Sequence, residues 1–331
     1  MSARLLIDLL RDPSRAAALD ARAWNGVISA ARAERLLGTL AVRLEAVEVP
    51  PELAAILADA RLDAAREQRI ALWEANRAVA ALAPLGLEPI LLKGAAYAAA
   101  GLDASKGRMI GDLDILVPRD RLDEAEAALL AAGWEWVKPD PYDDAYYRQW
   151  MHELPPLIHR ERDRMIDVHH TILPLTARPR PDAGALIADS VSIGNGLRVL
   201  SPEHMVLHAV AHLFADGDLS GGLRNLWDVH CLLAQIDDSA LLDQRATRHG
   251  LSVHLFRARR LTDHIYGGKR LRLTVVDRLF LRRLLSRDGW GRDSAKVLGL
   301  AFYIRSHLLR MPPLMLARHL FTKWRKGHRP V

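Results

Sequence analysis

The 331-residue sequence contains a single cysteine, Cys231. One thiol makes no internal disulfide and no cysteine-based zinc site, so burial and hydrogen bonding must hold the fold together. Cys231 itself falls on an apolar helical face and reads as core. Long hydrophobic runs are absent too: none approaches the roughly 20 residues that cross a bilayer. The opening segment MSARLLIDLLRDPSR has acids within its apolar part and no small-residue cleavage site, which argues against an export signal. The cytoplasm is the expected compartment. There is no P-loop, no dinucleotide-binding glycine fingerprint, no G-x-S-x-G elbow and no H-E-x-x-H helix, and each gap removes a class of enzyme.

Acidic residues are also missing from one place, the stretch from Ser294 to the end. The chain carries 46 Lys and Arg against 40 Asp and Glu, but that stretch alone holds Lys296, Arg305, Arg310, Arg318, Lys323, Arg325, Lys326 and Arg329. The rest of the chain is close to neutral, which argues against a long nucleic-acid groove. The tail LLRMPPLMLARHLFTKWRKGHRP mixes bases with Leu, Met, Phe and Trp. Two readings fit it: a last packing helix with a solvated basic end, and a contact for an anionic partner or membrane surface.

What is present is mostly helical. Residues 1–85 place apolar residues every three or four positions, with Pro50 and Pro51 where one helix should stop and the next begin. The texture changes at GLEPILLKGAAYAAAG. Pro89 to Leu92 is a candidate buried strand, and Lys93-Gly94 separates it from an Ala-rich helix. A second strand is expected from Asp112 to Val117, then a helix with Asp120 as N-cap and Gly133 as its stop. WEWV, Leu157 to Arg160 and Met165 to Thr171 are further strand candidates, the last two joined by a charged turn. Asn195-Gly196 in VSIGNGLRVL signals a hairpin. Ser201 and Pro202 open another helix, and helical patterning continues to the end. The expected architecture is α+β: a small mixed sheet at 86–175, a helical region at 1–85, and a hairpin with helices at 176–331.

The chemistry concentrates in GRMIGDLDILVPRD. Alternate residues of a strand share a face, so Asp112 and Asp114 should present both carboxylates together. Two carboxylates that close repel unless a proton or cation lies between them. Magnesium takes oxygen ligands and is commonly held by one or two carboxylates plus substrate phosphates. Gly111 offers a place where substrate can approach the backbone. Asp167, a lone acid in the β-like run MIDVHH, can complete a metal site from a neighbouring strand or take a proton from an attacking hydroxyl. Lys93-Gly94 sits at a strand-to-helix junction suited to a phosphate. The plainer alternatives are turn chemistry for Asp112 and Asp114, an exposed turn lysine for Lys93, and a salt bridge from Asp167 to Arg164 or Arg108.

The stretch ILLKGAAYAAAGLDASKGRMIGDLDILVPRDRLDEAEAALLAAGWE, followed by IDVHHTI, resembles the nucleotidyltransferase superfamily related to DNA polymerase β. Within it, the chain is similar to an uncharacterised bacterial family with an LKG motif, an R…D-x-D-L/I-L-V motif and a later I-D-x-H strand. The resemblance spans roughly 20–240 and includes SPEHMVLHAVAHLFADGDLSGGLRNLWDVHCLLAQ. It implies that Asp112, Asp114 and Asp167 ligate Mg2+, with Mn2+ as an alternative. It implies that Lys93 and Gly94 replace the superfamily's Gly-Ser turn at the nucleotide's triphosphate, a departure that loses the serine hydroxyl. Arg108 would contact phosphate or brace the two acids. The implied reaction moves a nucleoside monophosphate from an NTP to a hydroxyl of a small molecule, a peptide or protein, or an RNA end, releasing pyrophosphate. The rival reading keeps the fold without the catalysis, as a degenerate binding module or a toxin-like or accessory protein.

His204, His208 and His212 recur every fourth residue, a spacing that can bind zinc. The preferred reading packs them between helices or lets them face the cleft, with His212 reaching Asp228 across helices. His169 shares a strand face with Asp167 and is expected near the site; His170 points away, as a structural or exposed residue.

Overall fold

The structure is a computed structural model and describes residues 2–267 and 271–325; the tail bases Lys326 and Arg329 lie outside them. Four helices come first: α1 (Ser2–Arg11), α2 (Ala21–Ala33), α3 (Leu37–Arg43) and α4 (Pro51–Leu82). Asp20 caps α2 by accepting from the Ala23 amide at 2.7 Å. Pro51 occupies the first position of α4, where its missing N–H costs nothing. Ala60, Ala64, Ala71, Ala75 and Ala78 are buried along α4, and residues this small let the helix backbone lie close to its neighbours.

The sheet follows. Its strands are β1 (Ile90–Leu91), β2 (Leu113–Leu116), β3 (Trp134–Trp136), β4 (Leu157–His159), β5 (Met165–His169), β6 (Val191–Gly194) and β7 (Leu197–Val199). Helices α5 (Lys93–Ala99), α6 (Leu122–Ala131), α7 (Pro141–Trp150) and α8 (Ala183–Ala188) lie between them. Strand order is β3-β4-β5-β2-β1-β7-β6, with β2–β5 and β1–β7 parallel and the other pairs antiparallel. The hairpin β6–β7 therefore extends the same sheet that holds β2. Asn195 and Gly196 both have positive φ, 54° and 72°, as a two-residue primed turn requires. All four residues of β2 are buried, Asp114 included.

Beyond the hairpin the chain is helical: α9 (Pro202–Val210), α10 (Gly222–Leu233), α11 (Ser239–Arg248), α12 (Ser252–Ile265), α13 (Val275–Leu284), α14 (Lys296–Arg310) and α15 (Pro313–Arg325). A π-helical turn, Ala211–Asp216, continues α9. No described helix is long and apolar enough to cross a membrane. The architecture is a helix-rich α+β fold around one mixed sheet, as the patterning implied. One hydrophobic core runs from Leu6 of α1 through Ile115 of β2 to Phe302 of α14. Glu34, 2% exposed, ties the two ends of the chain together: it accepts from the Leu223 amide at 3.0 Å and from Arg287 Nε at 2.6 Å.

Strand ends are trimmed relative to expectation. β2 begins at Leu113, so Asp112 lies just outside it, and β5 ends at His169. Asp120 is not an N-cap. It sits inside a 3-10 turn, Arg119–Arg121, that leads straight into α6, whose capping position, Arg121, makes no side-chain cap bond. Gly133 does follow the helix, with φ 103°.

Candidate active site

The parallel pairing of β2 with β5 sets Asp114 directly beside Asp167, on one face of the sheet. Asp112, exposed at the mouth of β2, completes the group: one carboxylate oxygen from each acid lies within 4.8 Å of the others. The three acids singled out in the sequence are thus brought together.

Their environments differ. Asp114 is 3% exposed, and its Oδ1 accepts from Lys93 Nζ at 2.6 Å and faces His169 Nε2 at 3.0 Å. Burial opposes its charge, but Lys93 and His169 outweigh burial and hold the carboxyl well below the usual range. The Asp167 side chain is partly buried and has no hydrogen bond or ion pair among the described residues. Its two alternative partners are engaged elsewhere, Arg164 with Glu67 at 2.8 Å and Arg108 with Asp228 at 3.1 Å. Burial first, then the charges of Asp114 and Glu153, push its carboxyl up to about 7. Both bonds to Asp114 land on Oδ1, so Oδ2 has no partner among the described residues. Free carboxylate oxygens converging at this distance suit a hard divalent cation.

The model of an uncharacterised nucleotidyltransferase family matches residues 20–267. The chain belongs to that family. No curated protein matches the sequence.

The other residues expected at the site take up definite places. Lys93 has φ 48°, left-handed backbone that a non-glycine residue rarely adopts, at the junction where β1 turns into α5. That geometry turns its side chain onto Asp114, whose charge, against the cost of burial, keeps the ammonium protonated. Helix α5 has only seven residues, so charge at this corner comes from the lysine more than from a helix dipole. Gly94 leaves room for Arg108: a Cβ there would meet its guanidinium and oblige that side chain to shift. Gly111 is exposed, and a Cβ there would meet open space, so nothing in the folded chain demands glycine at that point.

Arg108 does not lie free for phosphate. Its Nε donates to Asp228 Oδ2 at 3.1 Å, and its guanidinium carbon stands 5.7 Å from the centre of the Tyr97 ring. Arg224 donates to the other oxygen, Oδ1, at 3.1 Å from Nε, and to Thr39 Oγ1 at 2.5 Å. Gln68 of α4 donates to the carbonyls of Ser105 and Arg108. Helices α3, α4 and α10 thereby clamp the loop that feeds Asp112 and Asp114. The expected contact of His212 with Asp228 is not formed; both Asp228 oxygens serve arginines. His208 is buried and His212 half-buried, and desolvation followed by the nearby Lys93 charge keeps both neutral, His212 titrating at about 4. His204 turns away to His249, 3.0 Å between Nε2 atoms, so the three histidines of α9 and its π turn form no common metal site.

His169 reaches Asp114 as its strand face implied, and His170 is buried with Nε2 on the Met151 carbonyl at 3.2 Å. Sequence reasoning missed His152 and Glu153. Residue 153 forms an isolated bridge with His169, which places both side chains beside the acids. An isolated bridge has no periodicity to announce it; the only signal was a His-Glu pair ahead of LPPL.

Proposed function

We propose that the protein transfers a nucleoside monophosphate from an NTP to an acceptor hydroxyl, with Mg2+ held by Asp112, Asp114 and Asp167 and Mn2+ able to substitute. The observation that carries this reading is the β2–β5 register, which sets Asp114 beside Asp167 with Asp112 at the same end. The ion, when bound, neutralises triphosphate charge and polarises the phosphorus under attack. Asp167 takes the proton from the acceptor hydroxyl as the new bond forms. Lys93 supplies positive charge at the phosphate end, where the superfamily's Gly-Ser turn would lie. Arg108 acts by bracing: with Asp228 and Arg224 it fixes the loop carrying the two acids. The near-neutral body favours a small-molecule or peptide acceptor over a long duplex. Arg318 and Arg325, exposed beside Leu314, Leu320 and Phe321 on α15, supply the surface on which an anionic partner or membrane would dock.

One observation favours a non-catalytic module instead. The Lys93 ammonium, 2.6 Å from Asp114, already neutralises that carboxylate without an ion. The test uses each α-labelled NTP with Mg2+ and cell extract. Label should pass to an acceptor fraction, and Asp112→Asn, Asp114→Asn or Asp167→Asn should each cut it by about 100-fold or more. Thermal stabilisation by NTP and Mg2+ without label transfer would support the binding module. No stabilisation by any NTP would sink both.

A further inference from the structure

Beside the three acids lies a second group that the transfer reaction does not use. His152, Glu153 and His169 each bring a ligand atom to within 4.8 Å of the others. The His169 side chain is 1% exposed and its Nε2 meets Asp114 Oδ1 at 3.0 Å. A carboxylate only accepts, so the hydrogen sits on Nε2, and in the neutral ring Nδ1 is then a bare lone pair. That nitrogen is buried with no hydrogen-bond partner among the described residues, and it faces Glu153 Oε2 at 3.4 Å. His152 brings Nε2 to 3.5 Å from the same oxygen, and the two imidazole centres are 5.2 Å apart. Three ligand atoms thus converge through contacts of 3.4 and 3.5 Å. A proton on Nδ1 would bridge them only through a contact longer than the usual range of about 2.7–3.2 Å.

We propose that His152, Glu153 and His169 form a transition-metal site, distinct from the three-acid group and taking Zn2+ in preference to Mg2+. Two imidazoles and one carboxylate are a donor set that suits zinc, whereas magnesium selects oxygen. A carboxylate on the far nitrogen of a ligating histidine, here Asp114 on His169, is the arrangement that fixes the ring and raises its basicity. The backbone is held for the purpose. Leu154 N donates to the Val168 carbonyl at 2.9 Å and His170 N to the His152 carbonyl at 2.9 Å, clamping 152–154 along β5. His152 and Glu153 keep 12% and 19% of their side-chain surface exposed, which leaves an entry path. Charge at Nδ1 makes Nε2–H a stronger donor to Asp114, so the site is a positioning device for that acid. The proposal stands whether or not the protein transfers nucleotides.

The test is titration of the untagged, chelator-stripped full chain with Zn2+ in excess Mg2+. Wild type and Asp112→Asn/Asp167→Asn, which disables the oxygen set alone, should each bind about one equivalent. His152→Ala and the near-isosteric Glu153→Gln should each weaken binding at least about 10-fold. Should His152→Ala fail to fold, X-ray absorption at the zinc edge of Asp112→Asn/Asp167→Asn must still show imidazole scattering. A double variant that binds no zinc, or His152→Ala and Glu153→Gln that bind as tightly as their parent, overturns the proposal. Loss of zinc binding with label transfer intact overturns this site alone and leaves the transfer reading in place.

Discussion

Asp114 and Asp167 are neighbours on one sheet face with opposite electrostatic fates. Asp114 has a lysine and a histidine; Asp167 has neither, and burial beside other acids raises its carboxyl to about 7. An aspartate in the unfolded chain titrates near about 4. The native state therefore holds the Asp167 proton more tightly, so its stabilising contribution is full below about pH 4 and is lost as pH rises through about 7. Measured against Asp167→Asn, the metal-free wild type should lose melting temperature between about pH 5 and pH 8, a difference that separates this residue from His208 and His212, which act in the opposite sense. Added Mg2+ should raise the melting temperature more at the alkaline end, where no proton has to be displaced. Equal slopes in wild type and Asp167→Asn would show that the residue titrates as an ordinary aspartate.

At the level of elements, the junction between β1 and α5 and the loop before β2 act as one part. Gly94 leaves room for Arg108, and Arg108 reaches Asp228 of α10. Gly94→Ala should cost about 1–3 kcal/mol in urea unfolding by forcing the guanidinium out of place. Adding Arg108→Ala should return part of that loss, since the methyl then fills emptied space; a purely additive pair would contradict the packing argument. The strands carrying the acids were legible because β2 and β5 read as apolar segments interrupted by single acids, with β2 buried along its whole length. The convergence of Asp112, Asp114 and Asp167 followed from strand periodicity and the family resemblance. The pairing of Asp228 with Arg108 was not legible, since Arg108 lies 120 residues away and such a contact has no local code. Asp120 misled because a 3-10 turn ahead of α6 satisfies the first turn without a side-chain cap.

For the molecule as a whole, the helical N-terminal region meets the loop before β2 through glycine. Gly38 of α3 and Gly107, φ 66°, press backbone against backbone, and a Cβ on either would collide with the other's main chain. Gly38→Ala should lower the melting temperature and label transfer together, at a cost of about 1–3 kcal/mol, because α3 must withdraw from the loop that holds Arg108. An unchanged melting curve would show that the contact is slack. The same interlocking governs how the chain comes into being. Glu34 is made early, yet its buried carboxylate waits for Arg287, 253 residues later. At translation rates of about 5–20 residues per second, that wait is on the order of 10–50 s. During it the three acids have left the ribosome while the clamp around them is unfinished. Activity is therefore expected to appear late in synthesis, once the helices beyond β7 have emerged.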